Sequence, residues 1–270
     1  MSDKVESYRL LMIEAAAEGD DKLLEKYFEE ETLTPDEIRK GLLEGLRSNK
    51  VVPVLCGASI YTSGIESLLN FITNIFPSPE GYSEKAEKGD ETVEVSYDQS
   101  KPMSFYVWKT SIDQFSGRLS FLKAVTGTVK GDSESVCVRL DKKERLSKVY
   151  NALGKKIVDT DEIVAGDIGL VTKVDELVTG DSVCTPDNFV SYEKLKMPQP
   201  VFAVTVSADS KKNEDKMNQF LHREAEQDLT FTLEFNEETK QTVASGMGEL
   251  HLNMILDKLK HKQGIEVKLD

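Results

Sequence analysis

The stretch that most constrains the fold runs from residue 241 to residue 262, where a strand pattern changes into a helix pattern. Thr242-Val243-Ala244 is typical of the end of a strand, and Gly246-Met247-Gly248 then permits an abrupt change of direction. From residue 250 the apolar residues recur on one face of a 3.6-residue period, namely Leu250, Leu252, Ile255, Leu256 and Leu259. Gly264 is typical of a helix C-terminus. This order predicts a packed helix directly after a strand, in an α+β domain.

The neighbouring segments complete one small domain, predicted over residues 198–270. Its elements in chain order are a strand at 201–206, a helix at 213–227, strands at 229–235 and 240–244, a helix from 250 onward, and a strand at 265–269. The order βαββαβ is that of the ferredoxin-like fold, an antiparallel sheet with both helices on one face.

The middle of the chain, residues 101–190, consists of short β-rich runs separated by turn residues. Many short strands without a helical period predict an antiparallel β-barrel, which leaves few exposed strand edges. We assign turn roles to Gly166-Asp167 and Gly180-Asp181, where glycine allows an unusual φ and aspartate bonds the following backbone. The acidic residues 81–100 before the barrel are predicted to be a linker or an exposed hairpin.

Residues 1–80 combine helix patterns with a single strand pattern. Four helices are predicted. Gly19-Asp20 separates the first two, Thr34-Pro35-Asp36-Glu37 forms a capping box at the start of the third, and Ser63-Gly64-Ile65-Glu66 caps the fourth. Between the last two helices, Val51–Cys56 is a continuous apolar run, typical of a strand covered on both faces in a parallel sheet. No partner strand is predicted nearby, so this strand either pairs outside its region or belongs to a larger α/β domain. The whole chain is therefore predicted to be multidomain α+β.

Composition excludes several classes of protein. With 39% apolar and 30% charged residues, the 270-residue chain is typical of a soluble globular protein of about two domains. No apolar run approaches the roughly 20 residues of a membrane span and the N-terminus has no signal pattern, so we expect a cytoplasmic protein without membrane contact. Cys56, Cys137 and Cys184 lack CxxC spacing and are interpreted as reduced core thiols.

The net charge of −14 argues against a simple nucleic-acid-binding protein, because phosphate contacts need basic surface. Residues 101–150 are an exception, with ten basic and five acidic side chains. Two interpretations stay open for this segment. It is either an ordinary fluctuation on a β domain or a face that contacts RNA or a ribosomal protein.

Several segments resemble bacterial elongation factor G, the GTPase that drives translocation on the ribosome. Gly246-Met247-Gly248-Glu249-Leu250-His251-Leu252 is similar to a segment of its domain III, and RLSFLKAVTGTVKGD, VAGDIGLV and TGDSVC resemble its domain II. MIEAAAEGDDKLLEKYFE and VVPVLCGAS resemble the end of its GTPase domain, with part of the inserted subdomain. The resemblance implies a fragment of such a factor, with residues 1–80 from the GTPase domain.

The same resemblance implies partners and ligands. The partners would be the ribosome, through ribosomal RNA and ribosomal proteins, and the missing domains of the parent chain; we expect a monomer. GTP and Mg²⁺ would be cofactors of the full-length parent. Gly57, Ala58 and Ser59 match its guanine-binding motif, although the order Ala-Ser replaces Ser-Ala. Because the sequence contains neither GxxxxGK[ST] nor NKxD, we expect no cofactor, no catalytic residue and no GTP hydrolysis in this chain alone.

One further set of candidate residues lies on the last predicted helix. His251, Ile255 and Lys258 follow an i, i+4, i+7 spacing and form a stripe apart from the main apolar face, so we expect their replacement to cost little stability. The alternative is that His251 is an incidental, partly exposed side chain. By resemblance, the stripe faces the crevice between domain III and the GTPase and fifth domains, where fusidic acid binds. A metal site is not expected, because His251 and His261 are about 15 Å apart along the helix and His222 lies on another helix.

The sequence therefore supports two functional interpretations. The first is part of a GTP-dependent translocation factor that supplies ribosome docking and inter-domain coupling. The alternative is a non-enzymatic ribosome-binding or regulatory protein built from the same modules. A coding sequence with a phosphate loop upstream of Met1 would favour the first, and a natural start at Met1 the second.

Overall fold

A computed structural model describes residues 2–113, 116–154 and 156–269. The chain divides into two compact units, residues 1–80 and 81–270. Met1 and Asp270, at the outer limits of the predicted first and last domains, lie outside the described residues.

The first unit is built from four helices: α1 (Ser2–Ala17), α2 (Asp21–Glu30), α3 (Pro35–Arg47) and α4 (Ile65–Ile75). Asp20 caps α2 at the predicted break, and Thr34 forms the predicted capping box with Glu37. Helices α1 and α3 approach very closely, since a Cβ added to Gly41 would lie 2.0 Å from the Ala16 carbonyl oxygen. The sequence therefore predicted these four helices correctly, whereas the predicted cap at Ser63 was wrong: α4 begins after Gly64 and has no side-chain cap.

The predicted strand Val51–Cys56 does not form. These residues have no regular secondary structure, and Val52 and Val54 are 83% and 87% exposed. A strand needs a partner for its backbone N–H and C=O groups. Within the described part of residues 1–80 the only β pairing is an isolated bridge between Ala58 and Ser63. The apolar run is therefore irregular and largely exposed, and only Val51 packs against the helices.

The barrel of the second unit is antiparallel throughout. Ten strands follow in chain order: β3 (Ser104–Asp113), β4 (Gly117–Thr126), β5 (Thr128–Lys130), β6 (Glu134–Cys137), β7 (Lys142–Arg145), β8 (Val149–Leu153), β9 (Lys156–Thr160), β10 (Glu162–Val164), β11 (Ile168–Thr172) and β12 (Ser182–Cys184). Eight of them form one sheet in the order β7-β6-β12-β3-β4-β11-β8-β9, and β5 pairs with β10. Fully buried side chains such as Phe105, Leu122 and Ile163 fill the interior.

Both predicted glycine turns are present, with φ of 90° at Gly166 and 93° at Gly180. Asp167 accepts the following amide of Ile168, as predicted. Asp181 differs, because its buried carboxylate accepts the preceding amide of Val178 and pairs with Arg139 at 2.7 Å. It therefore fixes the turn to the barrel rather than to its own following residue.

Of the two alternatives predicted for residues 81–100, the hairpin is confirmed and the linker is not. These residues form the hairpin β1 (Ser83–Lys88) and β2 (Glu91–Ser96), and β1 also pairs with β13 (Ser191–Tyr192). Ala86 and Tyr192 are buried against Val125 of the barrel. The hairpin covers part of the outer barrel surface, which explains why a largely polar segment is ordered.

The last domain has the predicted βαββαβ order. Its elements are β14 (Phe202–Ser207), α5 (Lys211–Gln227), β15 (Thr232–Asn236), β16 (Gln241–Gly246), α6 (Glu249–Gln263) and β17 (Lys268–Leu269), with the antiparallel sheet order β15-β16-β14-β17. One apolar core joins both helices to the sheet. Gly246 leaves room for the first turn of α6, because a Cβ there would lie 2.7 Å from Leu252 Cδ2 and 2.9 Å from His251 Nδ1 and would displace both side chains.

Candidate functional site

The three predicted stripe residues lie on α6 and line one groove. His251, Ile255 and Lys258 contribute to a cavity of about 570 Å³ between the last domain and the barrel, whose opposite wall includes Trp108 and Lys109 of β3. The structure thus brings the predicted residues together, on a groove that faces the barrel.

Ile255 does not belong to an exposed stripe. It is 3% exposed and packs in the core with Leu221 and Leu259, because the helix face it shares with Leu252 turns towards the sheet. The expectation that replacing Ile255 would cost little stability is therefore wrong. His251 and Lys258 remain partly accessible on the groove side.

His251 is held by two hydrogen bonds of defined direction. Its Nδ1 accepts the Met247 amide at 3.1 Å, so Nε2 carries the proton and donates to Asp228 Oδ2 at 3.0 Å. Burial raises the pKa of Asp228, but hydrogen bonds from the Thr230 hydroxyl and amide and from His251 outweigh it, so the pKa lies below its usual value. The Asp228 carboxylate is therefore ionised at neutral pH and fixes the imidazole.

Lys258 makes the second link between the two helices. Its Nζ lies 3.2 Å from Glu224 Oε2 on α5, and Glu224 is only 8% exposed. A buried carboxylate needs a partner, which Lys258 provides. The two polar residues of the stripe thus fasten α6 to α5.

The C-terminal turn of α5 is in turn fastened to the barrel. Gln227 Oε1 accepts the Ile112 amide at 2.9 Å and the Ser111 hydroxyl at 3.3 Å, both on β3. Arg118 of β4 forms an ion pair with Glu226 and donates to the Leu177 carbonyl at 3.2 Å. The sequence did not point to these residues, because single Gln and Arg side chains carry no periodic signal.

Most of the basic residues of segment 101–150 are neutralised within the fold. Eight of the ten form ion pairs, and seven of these eight take a carboxylate from outside the segment; the eight are Lys101, Arg118, Lys123, Lys130, Arg139, Lys142, Arg145 and Lys148. Lys109 and Lys143 form no ion pair with any described residue. The excess charge of this segment is therefore not one continuous basic face.

Gly57, Ala58 and Ser59 form a tight turn in the first unit. The Ala58 amide donates to the Ser63 carbonyl at 3.0 Å, and the Ala58 carbonyl accepts from Ser63 and Tyr61. A guanine contact would need a backbone amide that is free to donate. The turn uses the Ala58 amide internally, so this amide is not free for such a contact.

The remaining candidate groups give no metal or membrane signal. In residues 2–113, 116–154 and 156–269, no group of His, Cys, Asp and Glu has the arrangement of a metal site. No helix in the described parts of the chain has both the length and the apolar character of a membrane span. Cys137 and Cys184 are buried as predicted, whereas Cys56 is exposed because its predicted strand does not form.

Two known domain families match the second unit. Residues 102–186 match elongation factor G domain 2, and residues 197–270 match elongation factor G domain III. The fold is also similar to a crystal structure of a protein from Thermus thermophilus, with a TM-score of 0.76 and 25% identity. That similarity covers 100% of this chain and 38% of the other, so this chain spans well under half the length of that relative. With both domains present in tandem, the chain belongs to the elongation factor G family and is a protein of the translation elongation factor type.

Proposed function

We propose that this chain supplies the ribosome-docking and inter-domain coupling part of a GTP-dependent translocation factor. The observation that carries the proposal is the tandem of the two elongation factor G domains, joined at one interface by Gln227 and Arg118. Such a joint transmits a displacement of one domain to the other. In this proposal the protein is cytoplasmic and monomeric.

GTP and Mg²⁺ act elsewhere in this proposal. The sequence contains no phosphate loop, and the turn at residues 57–59 uses the Ala58 amide internally. Nucleotide binding is therefore assigned to a GTPase domain of the parent factor. The groove around His251 and Lys258 would sense the nucleotide state through the joint, and it is the place where a fusidic acid-type ligand would act.

Sedimentation with bacterial 70S ribosomes through a sucrose cushion tests the proposal. The chain should pellet with ribosomes at micromolar concentration, and Gln227→Ala should weaken pelleting because it releases the joint. Gln219→Ala is the matched control, since Gln219 is exposed on the same helix. A chain that stays in the supernatant would overturn the docking proposal.

Isothermal titration with a non-hydrolysable GTP analogue tests the assignment of the nucleotide. We expect no binding in the micromolar range by this chain alone, because the sequence lacks the glycine-rich loop whose backbone amides bind phosphates. Micromolar binding would contradict that assignment while leaving ribosome docking intact.

A further inference from the structure

A β-bulge places the tryptophan of the chain on the barrel surface. Between β3 and β4, Val107 pairs with Leu122 and Lys109 with Phe121, so Trp108 is an extra residue without its own partner. A bulge redirects the side chain at that position. The Trp108 ring is 37% exposed and lies 5.7 Å from the Phe121 ring.

Trp108 stands where two cavities meet. One, of about 500 Å³, lies between the β1 hairpin and β3; the other is the 570 Å³ groove next to α6. Both are lined by Trp108 and Leu195. The two cavities adjoin at Trp108 and Leu195, and the pair is called here the Trp108 channel.

The Trp108 channel is rich in cations that are not neutralised. Six lysines line it: Lys85, Lys109, Lys194, Lys196, Lys258 and Lys262. Lys258 is paired with Glu224, whereas the other five form no ion pair with any described residue. Of the lining carboxylates, Glu224 is paired with Lys258 and Glu84 with Lys123, which leaves Glu193 and the ionised Asp228 against the five unpaired lysines. The channel is thus locally positive in a chain of net charge −14.

We propose that the Trp108 channel binds a single-stranded RNA segment, with one base stacked on Trp108 and phosphates along the flanking lysines. An exposed aromatic ring between rows of cations is the arrangement that single-strand-binding proteins use. The proposal deepens the proposed function and rests on it for the source of the RNA.

An acidic peptide is the competing ligand, and the structure favours it less. A peptide commonly adds to a free strand edge, but β3 is already hydrogen-bonded to β4 and to β12 on its two sides. A solitary exposed ring offers a stacking face rather than a row of apolar pockets.

The fluorescence of Trp108, the one tryptophan in the sequence, reports directly on the channel. Titration with a uridine dodecamer should quench it at micromolar concentration in 50 mM salt. Five lysines without an ion pair predict a slope of about −3.5 for log affinity against log salt, so 200 mM salt should weaken binding by about 130-fold. A glutamate-rich peptide of equal charge is the competing probe. If the peptide quenches the fluorescence and the dodecamer does not, the partner is an acidic protein segment and not RNA.

Variants separate stacking from charge, with a labelled dodecamer and fluorescence anisotropy as the readout. Trp108→Ala should weaken binding by about 5- to 150-fold, and Trp108→Phe should restore much of it. Lys194→Gln with Lys196→Gln should lower both the affinity and the salt slope. The matched control is Lys211→Gln with Lys212→Gln, which removes the same charge at the N-terminal end of α5. That end is about 24 Å along the helix from Gln227, which lines the channel.

Three outcomes would overturn the proposal: no quenching by the dodecamer, equal affinity of Trp108→Ala and the parent chain, or equal effects of the two lysine pairs. Circular dichroism and the thermal transition check that each variant is folded. Ribosome sedimentation keeps the two proposals distinct. Pelleting without dodecamer binding refutes only the Trp108 channel, whereas dodecamer binding without pelleting refutes the proposed function.

Discussion

Replacing Ile255 by alanine tests whether this groove residue acts through the core. The substitution removes three carbon atoms from a side chain that is 3% exposed. At about 0.8 kcal/mol for each buried carbon, the lost transfer free energy is about 2.4 kcal/mol, and the cavity left behind raises the cost to about 2–5 kcal/mol. Met254→Ala, next to it on α6 but 56% exposed, should cost no more than about 0.5 kcal/mol.

Hydrogen exchange measured by mass spectrometry localises this effect to the last domain. A loss of about 2.4 kcal/mol corresponds to about 60-fold faster exchange of the protected amides of β16, where exchange follows global opening of the domain. Barrel peptides from β4 serve as the internal reference and should not change. If Ile255→Ala and Met254→Ala accelerate β16 exchange equally, Ile255 is not a core residue and the reasoning fails.

Two other predictions concern the first unit. A hydrogen bond from Lys26, together with those from Thr34, lowers the pKa of Glu37 from 4.5 to about 2, so its contribution to stability is complete above pH 4.5 and is lost as the pH falls towards 2. Between pH 4.5 and 2, the Glu37→Gln variant should therefore lose less helicity than the parent chain, as measured by far-ultraviolet circular dichroism. An acid transition equal to that of the parent would refute this. Amides of residues 51–55 should exchange faster than those of β6, because they lack ladder hydrogen bonds; equal protection would show that this segment has a partner.

The elements that sequence predicted correctly are those whose signals are local. The capping box at Thr34 and the apolar period from Leu252 to Leu259 specify helices without reference to distant residues. The same holds for the glycine turn before α6. Their order then limits the last domain to the ferredoxin-like arrangement.

The failures share one cause, which is that strand formation depends on partners far away in the sequence. Val51–Cys56 has a strand composition but no neighbouring strand, and it stays irregular. For residues 81–100 the sequence left a linker and an exposed hairpin open, and the hairpin is what forms. What the sequence missed there is that β13, about a hundred residues later, pairs with β1.

The candidate site was predictable only in part, for a similar reason. The helical spacing placed His251 and Lys258 on one face, but it could not exclude Ile255 from that face, since the boundary of the buried arc depends on where α5 packs. The bulge at Trp108 follows from the register between β3 and β4, and the role of Gln227 follows from domain docking. None of these depends on a local pattern.

The last turn of α5 determines the shape of the groove. Glu224 forms an ion pair with Lys258, and Gln227 accepts a hydrogen bond from the backbone of β3. Asp228, the C-cap residue of α5, accepts a hydrogen bond from His251. The barrel and α6 cannot separate unless these bonds break or α5 moves with one side. At about 1 kcal/mol net for each neutral hydrogen bond and somewhat more for a charged one, releasing the barrel side costs a few kcal/mol. This cost is comparable to the coupling free energies between distant sites, which are about 1–3 kcal/mol. A ligand that binds the open groove more tightly by that amount could therefore break the bonds between α5 and the barrel, and they would form again when it leaves.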